Sequence, residues 1–411
     1  MTTNSCFNLR DYQREISEAA SDLLKRKKII YLTMEVRTGK TLTALQTASN
    51  FGAERVLFLT KKKAIESIEK DFNVLNPSYK ITIINDESLH LVNGKFDLVI
   101  HDEHHRFGAF PKPNKVAQLF KKRYGDLPMI FLSGTPTPEN HSQWFHQFWV
   151  SNYSPFKNYV NFYKWANDYV NVTERNLGYA KVKVYDDGIK SKILPVVEPY
   201  LLTYTQEEAG FTSKVDEYII EVEMQPITYE IIKRLKKDNI VTNTNGDVIL
   251  GDTGAKLMQK IHQLSSGTCK FEDGSSKIID TSKAEKIFDL FKNKKVGIFY
   301  KFVEEYNALK QIYGNKLTDN LEDFNTSDKS IALQIVSGRE GISLKQADNL
   351  VYYNIDFSAT SYWQSRDRLT TIDRKENSVY WIFAKNGIEY KIYDSVLKKK
   401  NFTLDIFKKV Y

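Results

Sequence analysis

Cysteine is nearly absent. Cys6 and Cys269 are the two thiols in 411 residues. That is too few for a disulfide framework or a cysteine-built zinc site, and it fits a reducing cytosol. No stretch approaches the roughly 20 consecutive apolar residues that a membrane-spanning helix needs. Residues 1–9 lack the charged-then-apolar layout of a secretory signal, so a cytoplasmic protein is expected. There is no internal repeat and no low-complexity tract. Charge is only mildly one-sided: the net value is +8 and the isoelectric point about 9.0. That excess permits nucleic-acid binding without showing it. What the chain does have is length and apolar content. At 411 residues and 41% hydrophobic, it can build two or three domains with real cores.

The chain is organised around Met34-Glu35-Val36-Arg37-Thr38-Gly39-Lys40-Thr41. Ile29-Ile30-Tyr31-Leu32 before it reads as a buried strand, and Thr41 to Ala48 after it as a helix. A loop between a strand and a helix N-terminus turns several backbone N–H groups and the helix dipole on one point, which suits a phosphate chain. In such a loop Gly39 admits the anion, Lys40 supplies a point charge to the β and γ phosphates, and the Thr41 hydroxyl can ligate Mg2+. The usual pattern has glycine where Met34 stands. Upstream, the helix opened by Leu9-Arg10-Asp11-Tyr12-Gln13 carries an amide, Gln13, able to read the donor and acceptor edge of adenine.

Arg55 to Thr60 reads as the next strand and runs into Lys61-Lys62-Lys63, whose charge suits a nucleic-acid backbone or plain solvation. Phe96 to His101 is a strand that delivers Asp102-Glu103-His104-His105. An acidic pair at a strand end, downstream of a phosphate loop, can hold Mg2+ through its water shell (Asp102) and orient and deprotonate an attacking water (Glu103). Met129 to Leu132, a further strand, ends in Ser133-Gly134-Thr135.

In this order, Leu9–Gln13, Thr38–Thr41, Asp102–His105 and Ser133–Thr135 resemble the first RecA-like lobe of the superfamily-2 helicases and translocases. The resemblance implies nucleotide contacts at Arg10, Gln13, Arg37, Thr38, Gly39, Lys40 and Thr41. It places Mg2+ at Thr41 and Asp102. It assigns the coupling of ATP hydrolysis to lobe movement to His105, Ser133 and Thr135, and a nucleic-acid contact to Lys61.

From Gln143 to Tyr169 the chain is unusually aromatic and holds three of its five tryptophans. A helical segment packed on the first lobe is the expected reading, with a stacking surface for bases as the sharper one. Asn171 to Lys192 reads as an insertion or hairpin, Val215 to Met224 as strand, Tyr229 to Asp238 as helix, and Asn243 to Asp252 as a polar loop or tight hairpin. Lys295–Tyr300, Ser330–Val336 and Asn349–Asn354 are strands alternating with helices, which calls for a second parallel α/β lobe. Ser337 to Asp348 resembles the fifth helicase motif, and Tyr362-Trp363-Gln364-Ser365-Arg366-Asp367-Arg368 the sixth. By that resemblance Ser337, Gly338, Tyr300 and Lys301 touch nucleic acid and Gly341 the nucleotide. Gln364, Arg366 and Arg368 join Lys40 and Glu103 in catalysis. The finger arginine of the family falls on Thr371, with Arg366 and Arg374 as candidates to replace it.

The expected architecture is therefore α/β: two tandem RecA-like lobes, parallel sheets flanked by helices, with an ATP cleft between them. The first lobe spans 1–198, including the aromatic segment and insertion at about 144–192, and the second 199–411. The wording around Glu35–Thr41, His262–Gly267 and Phe299–Phe302 resembles the small Swi/Snf-like, phage-type DEAD/DEAH-box helicases. The function this implies is an ATP-dependent DNA helicase or translocase. It would use ATP and Mg2+, favour DNA over RNA, need no membrane, and act as a monomer in the cytoplasm of a bacterial or phage-infected cell. An RNA helicase, a motor subunit of a restriction or recombination complex, and a nucleotide-gated binding module with little hydrolysis remain as alternatives.

Overall fold

The computed structural model describes residues 9–35, 37–137, 140–176, 181–210, 214–335, 344, 346–358 and 376–398. The chain divides into two compact units, residues 1–211 and 212–411.

The first unit opens with helix α1 (Asp11–Lys27) and strand β1 (Ile29–Met34). Helix α2 (Lys40–Phe51), β2 (Arg55–Thr60), α3 (Ile65–Leu75), β3 (Lys80–Asn85) and β4 (Leu98–His101) follow. After them come α4 (Lys115–Tyr124), β5 (Met129–Leu132), α5 (Trp144–Trp149), α6 (Phe162–Tyr169), an antiparallel hairpin β6 (Thr173–Asn176) and β7 (Lys181–Val184), α7 (Lys190–Val197) and β8 (Leu201–Tyr204). Its six-stranded sheet has the order β3-β2-β4-β5-β1-β8, and every pair is parallel.

Strands in such a sheet are covered on both faces and read as unbroken apolar runs. Side chains nevertheless alternate between the faces. Ile30 and Leu32 of β1 join Ala20, Leu24, Ala44 and Leu45 from α1 and α2. Ile29 and Tyr31 join the opposite core, with Phe120, Phe131, Trp144, Phe145, Phe148 and Trp165. The aromatic run is thus interior packing: Trp165 and Phe148 are fully buried and Phe145 nearly so. Burial of rings this large is among the largest single contributions to a core.

The expected lobe boundary at 198/199 falls just before β8. That strand returns to pair with β1, Tyr31 opposite Leu201 through Met34 opposite Tyr204, and so belongs to the first sheet.

The second unit begins with β9 (Lys214–Val222), α8 (Pro226–Asp238), a hairpin of β10 (Ile240–Thr242) and β11 (Val248–Leu250), and α9 (Gly254–Ser265). A second small hairpin, β12 (Thr268–Lys270) and β13 (Ser276–Ile278), leads to α10 (Ser282–Phe291), β14 (Val296–Tyr300) and α11 (Val303–Tyr313). Then follow β15 (Leu317–Thr318), α12 (Leu321–Thr326), β16 (Ser330–Gln334), β17 (Asn349–Tyr352), β18 (Glu376–Ala384) and α13 (Glu389–Leu397). The sheet order is β15-β16-β14-β17-β18-β9, again all parallel. One face packs on α10 and α11 through Ala284, Ile287, Ala308 and Leu309. The other packs on α13 through Ile388, Ile392 and Val396. These are the two helix-flanked parallel sheets expected from the sequence. Among the described residues no helix is long and apolar enough to cross a membrane.

Candidate active site

In an open parallel sheet the loops at the carboxyl ends of the strands face one rim, and ligands bind there. The order β4-β5-β1 places three such loops side by side in the first unit. The phosphate-type loop leaves β1, Asp102 and Glu103 leave β4, and Ser133 leaves β5. Residues about 100 apart in sequence are gathered by strand order alone.

The loop after β1 is drawn tight around its own lysine. Lys40 Nζ donates to the carbonyls of Met34 at 2.8 Å and Glu35 at 3.0 Å. Thr38 is fully buried, and its hydroxyl donates to Glu35 O at 2.7 Å. Gly39 caps α2 with φ +82°, a left-handed conformation in which only glycine is unstrained. A Cβ there would stand 1.9 Å from Nε2 of Gln13, so a side chain at this position would also displace the Gln13 amide. Thr41 opens the helix half-buried.

Gln13 is 4% exposed. Its Oε1 accepts from the Arg10 amide at 3.0 Å, and its Nε2 donates to Thr38 O at 3.4 Å. An amide has two N–H groups and two carbonyl lone pairs, so each end keeps one function for another partner. Tyr12 donates to the same Thr38 carbonyl at 2.9 Å and stacks on Tyr204 of β8, centroids 4.5 Å apart. Arg10 Nη1 donates to Tyr12 Oη at 2.9 Å. The start of α1 is therefore fastened to the phosphate-type loop, and β8 supplies an aromatic partner that the sequence did not single out.

Asp102 accepts from the Thr60 hydroxyl at 3.0 Å and from the Glu103 amide at 2.9 Å. Burial pushes its pKa up to about 6, and the Glu103 charge adds to this; Lys40, Thr60 and the Glu103 amide pull the other way. The action of Lys40 on Asp102 shows that the two loops share one electrostatic neighbourhood. Glu103 lies in the left-handed region, φ +50°, an uncommon conformation for a residue with a side chain and one that collects at functional loops. His105 Nδ1 is 2.9 Å from Ser133 Oγ and 3.3 Å from Glu103 Oε2. Ser133 Oγ also accepts from the Thr135 amide at 3.1 Å. The acidic pair and the Ser-Gly-Thr segment are thus joined through one imidazole.

Beneath this rim lies a buried polar chain that sequence reasoning missed. Arg106 Nη1 donates to Asp86 at 2.6 Å, Asp86 meets His101 Nε2 at 3.1 Å, and His104 Nε2 meets the Gln147 carbonyl at 2.8 Å. The two Nδ1 atoms of His101 and His104 are 2.6 Å apart. Burial, then the His101 charge, hold His104 well below the usual histidine range. Burial alone would raise the Asp86 pKa, but His101, Arg106 and Lys61 outweigh it and hold it low. The repeated histidines were the available signal, but their partners Asp86 and Gln147 are distant in sequence.

Lys61, expected at nucleic acid, is half-buried after β2 and contributes to the field on Asp86. In the second unit Tyr300 is half-buried against Tyr306, centroids 5.4 Å apart. Lys301 pairs with Asp356 at 2.6 Å and lies over the Phe357 ring at 4.2 Å. Glu305 accepts from the Lys301 and Phe302 amides at 2.6 and 3.1 Å. Ser337, Gly338, Gly341, Gln364, Arg366, Arg368, Thr371 and Arg374 lie outside the described residues.

The donor set suits Mg2+ held beside phosphates. That ion keeps several waters and takes one or two carboxylates rather than an all-protein cage. Asp102 offers a carboxylate and Thr41 a hydroxyl, and among the described residues no cluster of three His, Cys, Asp or Glu forms a closed metal site.

Two helix-flanked parallel sheets, the first with a phosphate-type loop and an acidic pair on one rim, define a superfamily-2 helicase-like protein built of RecA-like lobes. The chain belongs to the SNF2-related domain family, whose model matches residues 11–272. Membership implies the use of ATP. Two solved structures of the Sulfolobus solfataricus SWI2/SNF2 ATPase core are similar to it. One, in complex with dsDNA, is 15% identical, with 98% of this chain and 93% of that chain covered and a TM-score of 0.45. The other, the core domain, is 14% identical, with 100% and 93% covered and a TM-score of 0.41. No curated protein matches the sequence.

Proposed function

We propose that the protein hydrolyses ATP in response to DNA and uses the cycle to move along it. The observation that carries this reading is the gathering of Lys40, Asp102, Glu103 and the His105–Ser133 contact on one rim of the first sheet. Lys40 exchanges the Met34 and Glu35 carbonyls for β and γ phosphate oxygens, which offer stronger charge-assisted acceptors. The amides at the N-terminus of α2 complete the phosphate cradle. Gln13 uses its spare donor and acceptor on adenine, beside the Tyr12–Tyr204 stack. Thr41 and Asp102 hold Mg2+, which when bound neutralises phosphate charge. Glu103 orients water and takes its proton as the water oxygen bonds to the γ phosphorus. The bridging P–O bond breaks, and ADP and phosphate leave. His105 touches both Glu103 and Ser133, and so passes the state of the acidic pair to the Ser133–Thr135 segment.

Steady-state ATP turnover, measured side by side with duplex DNA, single-stranded DNA and RNA, tests the track. Stimulation by DNA well above RNA is expected; RNA as the stronger activator would make this an RNA motor. A second reading rests on Thr371, which stands where the family's finger arginine falls. It is a nucleotide-gated clamp with little hydrolysis. Tight, ATP-dependent DNA binding with turnover near background would favour it.

A further inference from the structure

The rim described above lies at carboxyl ends of strands. In the second sheet, the edge at the amino ends of the strands carries a groove of about 640 Å³ that this function does not use. Lys294 and Lys295 precede β14, Lys316 precedes β15, Lys329 and Ser330 lead into β16, and Asp348 precedes β17. The groove therefore sits at the amino ends of four neighbouring strands. Along β14 it is separated from Tyr300 and Lys301 by roughly 15 Å of strand.

Its lining holds five lysines against two aspartates. Two of the lysines are engaged. Lys295 Nζ donates to Ser327 O at 2.6 Å and Gln346 Oε1 at 3.2 Å, and Lys329 pairs with Asp323 at 2.8 Å. Asp348 is engaged too, accepting from the Lys295 amide at 2.8 Å. Lys292, Lys294 and Lys316 are exposed, and none has a carboxylate partner among the described residues. Three ammonium groups left around one concavity repel each other and attract a polyanion. The wall between them is aromatic. Phe288 is half-buried with Lys316 Nζ 5.8 Å from its ring, and Tyr313 meets its edge at 5.0 Å. The buried Tyr313 hydroxyl has no hydrogen-bond partner among the described residues.

Unpaired lysines beside an aromatic wall are the combination that binds single-stranded nucleic acid: charge follows the backbone and a ring receives a base. An acidic peptide would use the lysines but not the ring, and a duplex, whose bases are paired and stacked, would likewise leave the ring unused. We propose that this groove is a second nucleic-acid site, taking a single-stranded segment through Lys292, Lys294, Lys316 and Phe288. The proposal rests on the reading of the protein as a nucleic-acid motor, to which it adds an anchor on the second unit.

The test is binding of a labelled single-stranded oligonucleotide to the full chain without ATP, by fluorescence anisotropy over a range of salt. The triple change Lys292→Gln, Lys294→Gln, Lys316→Gln should flatten the slope of log K against log salt by about 2, since each phosphate contact on a single strand contributes about 0.7. Phe288→Leu keeps the wall apolar. It should weaken binding roughly fivefold or more while leaving the slope in place. Lys25, Lys112 and Lys190 are exposed lysines of the first unit, and changing them to Gln is the charge-matched control. An unchanged slope in the groove variant, an equal loss in the control, or equal competition by an acidic peptide of the same charge would overturn the proposal. ATP turnover that ignores nucleic acid would sink the motor reading instead, while oligonucleotide binding that depends on these lysines still stood.

Discussion

Ser133 and His105 lie in the loops that follow two different strands, 28 residues apart, and their side chains meet at 2.9 Å. Through that contact the acidic pair and the Ser-Gly-Thr segment are joined. Ser133→Ala removes it, together with the acceptor for the Thr135 amide. ATP binding should persist while less motion results from each ATP consumed. One hydrogen bond is worth about 1 kcal/mol, so the distance moved per ATP should fall roughly fivefold. Strand displacement measured against phosphate release reads this ratio, and an unchanged ratio would remove the contact from the coupling.

Glu103 reaches its place through a left-handed backbone conformation, with its amide on Asp102. Glu103→Gln keeps the size of the side chain but not its basicity. Turnover should drop by about 10²–10⁴, the usual worth of a general base, while a fluorescent ATP analogue still binds. Near-normal turnover in this variant would leave Glu103 with no part in proton transfer.

Asp102 carries a sign that can be tested by pH. Burial, then the Glu103 charge, raise its pKa to about 6. In the folded chain it therefore holds a proton that the unfolded chain has already released between the ordinary carboxylate range and about 6. Folding stability from this group accordingly falls as pH rises through that window. Asp102→Asn should raise the melting temperature of the nucleotide-free protein at pH 8 and have little effect at pH 4. The same change should abolish Mg2+-dependent turnover. In the unaltered protein, protons should compete with Mg2+ below about pH 6, so half-maximal turnover should need more Mg2+ there. A melting temperature lowered at pH 8 would contradict the assignment.

Lys283 and Glu389 form an ion pair at 2.5 Å with both side chains fully buried, tying α10 to α13. Oε2 of Glu389 has no hydrogen-bond partner among the described residues. Removing one member of a buried pair leaves an uncompensated charge and costs about 3–5 kcal/mol, whereas replacing both with apolar residues of similar size is often neutral. Lys283→Met should lower the urea midpoint sharply, and adding Glu389→Leu should restore most of it. A double variant no more stable than the single one would show that the pair itself, not the stranded charge, carries the stability.

The parts of the site that depend on local chemistry were legible in the sequence. Gly39-Lys40-Thr41, Asp102-Glu103 and Ser133-Gly134-Thr135 each sit where a strand ends, and strand ends are visible as apolar runs meeting polar residues. Both sheets could be expected from the alternation of strands and helices. What could not be read was long-range pairing. Nothing local in Leu201–Tyr204 says that it returns beside β1. Nor does anything near Tyr31 announce Gln147, 116 residues on, whose Oε1 accepts from the tyrosine hydroxyl at 2.7 Å. The Asp86–His101–His104 chain was missed for the same reason. Lys301 was expected at nucleic acid, and nothing near it in sequence announces its ion-pair partner Asp356, 55 residues away.

The central claim is that the loop closed by Lys40 is where ATP is turned over under the control of DNA. Phosphate release by the wild-type protein and by Lys40→Ala, each with and without duplex DNA, tests it most directly. The account predicts turnover that rises with DNA in the wild type and stays at background in the variant, with both proteins melting cooperatively. Equal, DNA-stimulated turnover in the two proteins would contradict it.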